Sequence, residues 1–155
     1  MYSQALLYAN RWMLLSRRRL EYSSAGGRSG RMTKILIVDD DEGVTTTFAR
    51  MLRLEGYQVH TAATAEKGLA EAEQNHPDAI ILDMRMPLVD GLGFLRRLRA
   101  FDEHTTTPVA IVTGDYFLDD AISNELRQLG AEVRYKPMFL EDVVGLARHL
   151  LKVTH

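Results

Sequence analysis

The sequence predicts an α/β protein in which a parallel sheet is covered by helices on both faces. Short, unbroken apolar runs ("KILIV", "DAIILD" and "PVAIVT") read as strands with no solvent-facing side. Between them apolar residues recur at helical spacing, so that five strands alternate with five helices and no internal repeat is present. That alternation requires crossover connections, which are right-handed between parallel strands of one sheet.

The elements follow in order. "KILIV", from Lys34, is the first strand. Val44, Phe48, Met51 and Leu52 form the apolar stripe of a helix that Gly56 stops. "YQVHTA" alternates as a half-buried strand does, and a second helix runs from about Ala65 to Gln74. "DAIILD" is the third strand, and Leu92, Leu95 and Leu98 mark the helix after it. Pro108 opens the fourth strand, "PVAIVT", where a missing N–H does little harm. Ile122, Leu126 and Leu129 make the fourth helix, ended by Gly130. "EVRY" is a short fifth strand, and Val143, Ala147, Leu150 and Leu151 form the last helix.

With 155 residues, 46% apolar and 26% charged, the chain has room for one domain with a sizeable core. It has no cysteine, which excludes disulfides, thiolate nucleophiles and thiolate metal sites and is compatible with a reducing compartment. No apolar run approaches the ~18 residues of a membrane span. Charge is uneven along the chain. Arg11, Arg17, Arg18, Arg19, Arg28 and Arg31 stand against Glu21 in residues 1–31, a net of +5. Of the chain's 19 basic and 21 acidic side chains, 13 and 20 remain for residues 32–155, a net of -7. The body is therefore a poor polyanion binder, and no direct nucleic-acid contact is expected of it.

"SSAGGRSGR", residues 23–31, has no apolar side chain larger than alanine and reads as a flexible linker. Upstream, "SQALLYANRWMLLSRRRL" has the makings of a short basic helix, but its apolar residues do not keep to one stripe. Asn10 and Arg11 interrupt any secretory-signal pattern. Residues 1–31 are expected to be a basic, flexible extension, with Met32 an alternative start, and residues 32–155 the folded body. The histidines (His60, His76, His104, His149, His155) show no ligand spacing and are expected at the surface.

Ligands of open parallel sheets bind beyond the C-terminal ends of the strands. Strand one ends on Asp39-Asp40-Asp41-Glu42, strand three on Asp83, strand four on Thr113-Gly114, and strand five runs into Lys136-Pro137. Each residue taken singly has an ordinary reading: Asp41 or Glu42 as a helix start, Thr113 as a β-former, Lys136 as a solvated lysine. Together, if the strands lie side by side, they bring carboxylates, a hydroxyl and an ammonium around one crevice. Carboxylates about 4 Å apart repel by roughly 4 kcal/mol at an effective dielectric near 20, so their clustering calls for a cation. An all-oxygen site open to water suits Mg²⁺.

"ILIVDDDE", "IILDMRMPLVDG", "VAIVTG" and "YKP", in that order and each after a predicted strand, resemble the signatures of the response-regulator receiver domain. The resemblance covers residues 34 to about 152 and implies the flavodoxin-like (βα)5 sheet of order 2-1-3-4-5, a fold the general rule for doubly wound sheets includes. It implies that Asp83 is the phosphoacceptor, taking a phosphoryl group from a phosphohistidine of a histidine kinase or phosphotransfer protein. The metal site it implies comprises the carboxylates of Asp40 and Asp83, the backbone carbonyl of Arg85, and Asp39 acting mainly through water, around Mg²⁺. Lys136 would pair with one phosphoryl oxygen and the Thr113 hydroxyl with another. The Lys136-Pro137 bond is expected cis, Gly114 small beside an open pocket, and Gly91 in a backbone conformation other residues resist. Arg85 and Asp115, two residues beyond Asp83 and Thr113, would flank the site and tune phosphate lifetime.

The resemblance further implies a cytoplasmic signalling protein that accepts a phosphoryl group rather than a conventional multiple-turnover enzyme. Few residues follow the last helix, so a stand-alone receiver is expected, acting on a downstream protein partner. Dimerisation through the fourth helix, fifth strand and fifth helix is one form its output would take. Departures from the family pattern bear on that output. Val133 stands where the family carries Tyr or Phe, Tyr135 is expected on the opposite face, and Met138 replaces the usual Phe, with Phe139 next. Gly130 to Lys136 looks one residue short, and Thr113 to Gly130 long.

Other functions fit less well. The runner-up is a non-phosphorylated receiver-like interaction adaptor, against which the set Asp40, Asp83, Thr113 and Lys136 argues. An aspartyl-nucleophile phosphohydrolase needs a second acid two residues on, where this chain has Arg85. A flavin carrier needs a phosphate-cradling loop after strand one, where "DDDEG" would repel a phosphate.

Overall fold

A computed structural model describes residues 30–152. Its strands are β1 (Lys34–Val38), β2 (Gln58–Ala62), β3 (Ala79–Asp83), β4 (Val109–Thr113) and β5 (Ala131–Tyr135). They pair in parallel in the order β2-β1-β3-β4-β5, the flavodoxin-like arrangement expected. The helices are α1 (Glu42–Leu54), α2 (Ala65–Asn75), α3 (Gly91–Leu98), α4 (Asp120–Gln128) and α5 (Leu140–Lys152). A 3-10 turn at Asp102–His104, which the apolar spacing does not foreshadow, precedes β4. The expected basic extension lies outside the described residues except for Gly30 and Arg31. Among the described residues no helix is long and apolar enough to cross a membrane.

Burial follows the sequence pattern. β3 and β4 are buried throughout and β1 along all but Lys34, whereas the edge strand β5 is only partly covered. Leu36, Val38, Ile80, Leu82, Val109 and Ile111 turn to one face of the sheet, where Phe94, Leu95 and Leu98 of α3 and Leu126 of α4 complete a core. Their neighbours Ile35, Ile37, Ile81 and Val112 turn to the other face by the two-residue period of a strand. There α1 and α5 pack together and supply Leu52, Val143, Ala147 and Leu150.

Acceptor side chains start four of the helices. Asp41 accepts from the Val44 N–H, Thr64 from Lys67, Asp90 from Gly93 and Asp119 from Ala121. Gly56 and Gly130 close α1 and α4 at positive φ, +95° and +76°, as C-terminal glycines do. Gly91 corrects an expectation. Its backbone is not in the left-handed region; that conformation belongs to Leu88, at φ 69°. A Cβ on Gly91 would instead lie 3.0 Å from the Asp83 carbonyl oxygen and 3.0 Å from the Met84 Cα. Glycine is needed there because the first turn of α3 rests on the backbone that carries Asp83.

The histidines correct another. His104 is only 2% exposed and belongs to the interior, not the surface. Its Nε2 lies 2.9 Å from the Ala72 carbonyl and its Nδ1 2.7 Å from the Thr107 hydroxyl. A carbonyl only accepts, so Nε2 carries a proton and donates. Nearby, Arg99 donates to the carbonyls of Leu129, His104 and Thr107 at 2.7–2.8 Å. Burial lowers the Arg99 pKa below the usual arginine value. His76 and Glu103 join His104 in a group whose ligand-type atoms lie within 4.8 Å of one another. His76 Nδ1 is already paired with Glu103 at 2.7 Å, and both His104 nitrogens are engaged, so this cluster reads as structure.

Candidate functional site

The strand order makes neighbours of the residues that the sequence singled out. β1 and β3 are adjacent, with Val38 opposite Leu82, so Asp39 and Asp83 leave the sheet side by side. Asp83 stands opposite Val112, which places Thr113 one residue further along β4. Thr113 in turn stands opposite Tyr135, so β5 delivers Lys136 to the same edge, and the Lys136 N–H donates to the Thr113 carbonyl at 2.8 Å.

The acidic run after β1 divides its labour by direction. Asp39 turns inward, 8% exposed, and its Oδ1 accepts from the Asp41 N–H at 2.9 Å. Asp40 is exposed, and Asp41 is spent as the α1 cap. Carboxylate oxygens of Asp39, Asp40 and Asp83 lie within 4.8 Å of one another. Two full charges at that spacing repel by about 3–4 kcal/mol at an effective dielectric near 20. The consequence appears at Asp39, whose pKa is pushed up to about 6. Burial is the main cause, opposed by the Asp41 hydrogen bond and assisted by the charges of Asp83 and Asp40.

Asp83 is 5% exposed, and the Lys136 ammonium lies 2.9 Å from its Oδ1. That ammonium is the partner this buried oxygen has, as a charge-assisted contact, and Oδ1 makes no further hydrogen bond among the described residues. Burial works against the charge on Lys136. The hydrogen bond to Asp83, with the charges of Asp83, Asp39 and Asp40, outweighs it and raises the lysine's pKa above its ordinary value. The Lys136-Pro137 bond is cis, as expected. A cleft opens over the group, lined by Asp39, Asp83 and Lys136 at its polar end and by Val44, Phe48 and Met138 at its apolar end.

Thr113 is 1% exposed, and its hydroxyl oxygen accepts from the Asp115 N–H at 3.1 Å. Gly114 has open space where a side chain would stand. The Arg85 side chain is exposed and reaches toward Asp115, 3.8 Å away, across the rim of the site. Val133 is half-buried and packed against the core. Tyr135, two residues on and so on the same side of the strand as Val133 rather than the opposite face expected, is exposed, as is Phe139. One residue escaped the sequence reading: Tyr116 stacks on Tyr135 with ring centroids 5.4 Å apart and donates its hydroxyl to the Lys136 carbonyl. A tyrosine in the loop after strand four, facing a second one beside the lysine, was the available signal.

Five parallel strands in this order, with an acidic pocket and a lysine across their C-terminal ends, frame the comparison with known proteins. The family model of the response regulator receiver domain matches residues 35–137. The chain belongs to the receiver-domain family of response regulators. It is similar to the transcriptional regulatory protein PrrA of Mycobacterium tuberculosis, 35% identical over 119 residues, covering 77% of this chain and 50% of that protein. The probable transcriptional regulatory protein TcrX of the same organism is 32% identical over 125 residues, covering 81% of this chain and 52% of its own. The chain thus spans about half the length of these curated relatives. Among solved structures it is similar to the Vibrio cholerae chemotaxis protein CheY4, with a TM-score of 0.72 and 29% identity over 78% of this chain and all of that one. A CheY-like receiver domain from Methanospirillum hungatei gives a TM-score of 0.71 at 27% identity, over 79% of this chain and 96% of that one.

Proposed function

We propose that the protein is a phosphorylation-controlled signalling receiver in which Asp83 accepts a phosphoryl group. The donor in this reading is a phosphohistidine on a histidine kinase or phosphotransfer protein. An Asp83 carboxylate oxygen forms the new O–P bond while the P–N bond breaks and its electron pair returns to the imidazole, leaving an acyl phosphate. The observation that carries the reading is the setting of the Asp83 carboxylate: buried, crowded by Asp39 and Asp40, and with the Lys136 ammonium 2.9 Å from one oxygen. Such a cluster of like charges is costly to maintain for structure alone.

The residues present fit a divalent cation. Hard carboxylate oxygens converge, and burial, with the neighbouring carboxylates adding to it, raises the pKa of Asp39. Asp39, Asp40, Asp83 and the Arg85 carbonyl would hold Mg²⁺, which when bound supplies neutralisation of charge on the transferred oxygens. Lys136 pairs with a phosphoryl oxygen, and Thr113, whose hydroxyl oxygen accepts from the Asp115 N–H, donates its hydroxyl proton to another. Arg85 and Asp115 face each other at the rim, where they control access of water to the acyl phosphate. Output in this reading passes through the face formed by α4, β5 and α5, as a partner surface or a dimer interface.

Incubation of the full chain with acetyl phosphate and Mg²⁺, followed by intact mass measurement, tests the proposal. A gain of one phosphoryl group that Asp83→Asn abolishes supports it. No gain in the wild-type chain supports instead an interaction adaptor that works without phosphorylation.

A further inference from the structure

The backbone of Lys136 is held on both sides by β4 and the loop that follows it. Its N–H donates to the Thr113 carbonyl at 2.8 Å, and its carbonyl accepts the Tyr116 hydroxyl. Tyr116 is itself seated: its ring stacks on Tyr135, the residue before the lysine, at an interplanar angle of 15°. The same loop is tied back to the site, because the Asp115 N–H rests on the Thr113 hydroxyl and the Asp115 carboxylate accepts from the Phe117 N–H at 2.9 Å. Tyr116 is 59% exposed and Tyr135 46%, so burial of apolar area does not account for the pairing. A phenol placed on a backbone carbonyl fixes where that carbonyl stands.

The demand for such a fixture comes from the edge of the sheet. β5 is partly exposed along its length, and it ends at Tyr135, immediately before the lysine. Beyond it, Lys136 must carry its ammonium to 2.9 Å from Asp83 along a flexible stem of four methylenes. An error in the backbone is passed to the charge, and displacements of about 1 Å at a reacting centre cost up to two orders of magnitude in rate. At Val133 the strand offers the core an aliphatic side chain only, so an aromatic hold on this strand end comes from outside, through Tyr116.

We infer that Tyr116 is a positioning residue for phosphoryl transfer, holding the backbone of Lys136 so that its ammonium meets Asp83. The inference rests on the proposed role of Asp83 as phosphoacceptor. It assigns the work to the phenolic hydroxyl, with the Tyr135 ring as its seat.

Tyr116→Phe separates hydroxyl from ring, since phenylalanine keeps the stack and loses the donor. Phosphorylation of the full chain by acetyl phosphate with Mg²⁺ is expected to slow by about threefold to tenfold, the range that loss of one neutral hydrogen bond produces. The chain has lysines only at positions 34, 67, 136 and 152, so ¹³C-lysine labelling allows the side-chain signal of Lys136 to be followed directly. That signal is expected to move in Tyr116→Phe while those of Lys67 and Lys152 stay in place. Restoring the ring without the hydroxyl must not rescue: Tyr116→Phe and Tyr116→Ala should slow the reaction alike. A Tyr116→Phe chain with wild-type rate and an unmoved Lys136 signal overturns the inference, as does a slower rate with Lys136 unmoved. Failure of the wild-type chain to gain a phosphoryl group removes the phosphoacceptor reading and this one with it.

Discussion

Asp83, at the C-terminal end of β3, and His104, ahead of β4, are both buried polar side chains, 5% and 2% exposed. Their surroundings are opposite. Both nitrogens of His104 are matched, one by a carbonyl and one by a hydroxyl, and Arg99 ties the carbonyl of the same residue to its neighbours. Asp83 has one oxygen whose partner is the ammonium of Lys136 and shares its surroundings with the carboxylates of Asp39 and Asp40. A polar group that the fold satisfies is structure; one that it buries and leaves short is available for chemistry. The unfavourable pole of this sheet is the one at which the phosphoryl group is proposed to arrive.

The largest effect that would break this contrast is at His104. Replacement by alanine removes a packed ring and leaves the Thr107 hydroxyl and Ala72 carbonyl unpartnered. Urea unfolding should show a loss of about 2–4 kcal/mol, with uptake of phosphate by Asp83 preserved in the folded fraction. A His104→Ala chain of wild-type stability would remove the structural half of the comparison.

At the acidic pole the sign is reversed. The folded-state pKa of Asp39, about 6, lies above the ordinary value of 3.8, so its protonation stabilises the fold. That contribution is complete below about pH 4 and is lost as the pH rises through 6. In EDTA, Asp39→Asn should therefore be more stable than the wild-type chain at pH 7–8, by up to about 3 kcal/mol at roughly 1.4 kcal/mol per pH unit. The difference should vanish below pH 4, and a constant difference across the range would contradict the assignment. Mg²⁺ sharpens the same point, since a cation that binds only the folded state at one hundred times its dissociation constant adds about 2.7 kcal/mol. The gain should appear in thermal unfolding of the wild-type chain and shrink in Asp83→Asn. The smallest effect lies at Arg96–Glu125, an exposed ion pair 2.5 Å across that belongs to neither pole. Arg96→Gln should leave both the unfolding midpoint and phosphorylation unchanged within error.

The acidic pole was legible in the sequence because a doubly wound sheet turns order along the chain into position in space. With the order 2-1-3-4-5 that the receiver-domain resemblance implies, strands one, three, four and five lie side by side, and Asp39, Asp83, Thr113 and Lys136 meet at their C-terminal ends. The helix start at Asp41 was read from its local signal, whereas those at Asp90 and Asp119 carry the same signal and were not read. The His104 cluster was not, because its partner Ala72 is 32 residues away and no periodicity announces a buried histidine. Gly91 was read as a turn glycine when its reason is contact with the backbone of Asp83, which only the packed structure supplies. Tyr116 reaches across 20 residues to Lys136, and the two tyrosines flanking the site, the one available signal, do not by themselves show that contact.

The central claim is that Asp83, among the clustered carboxylates, is the one that forms the covalent bond. Borohydride reduction of the chain after treatment with acetyl phosphate and Mg²⁺ converts an acyl phosphate to an alcohol and leaves homoserine in place of aspartate. Peptide mapping by mass spectrometry then reads the site directly. Homoserine at position 83 alone is the predicted result; homoserine at Asp39 or Asp40, or none in a chain that has gained the phosphoryl mass, would contradict it.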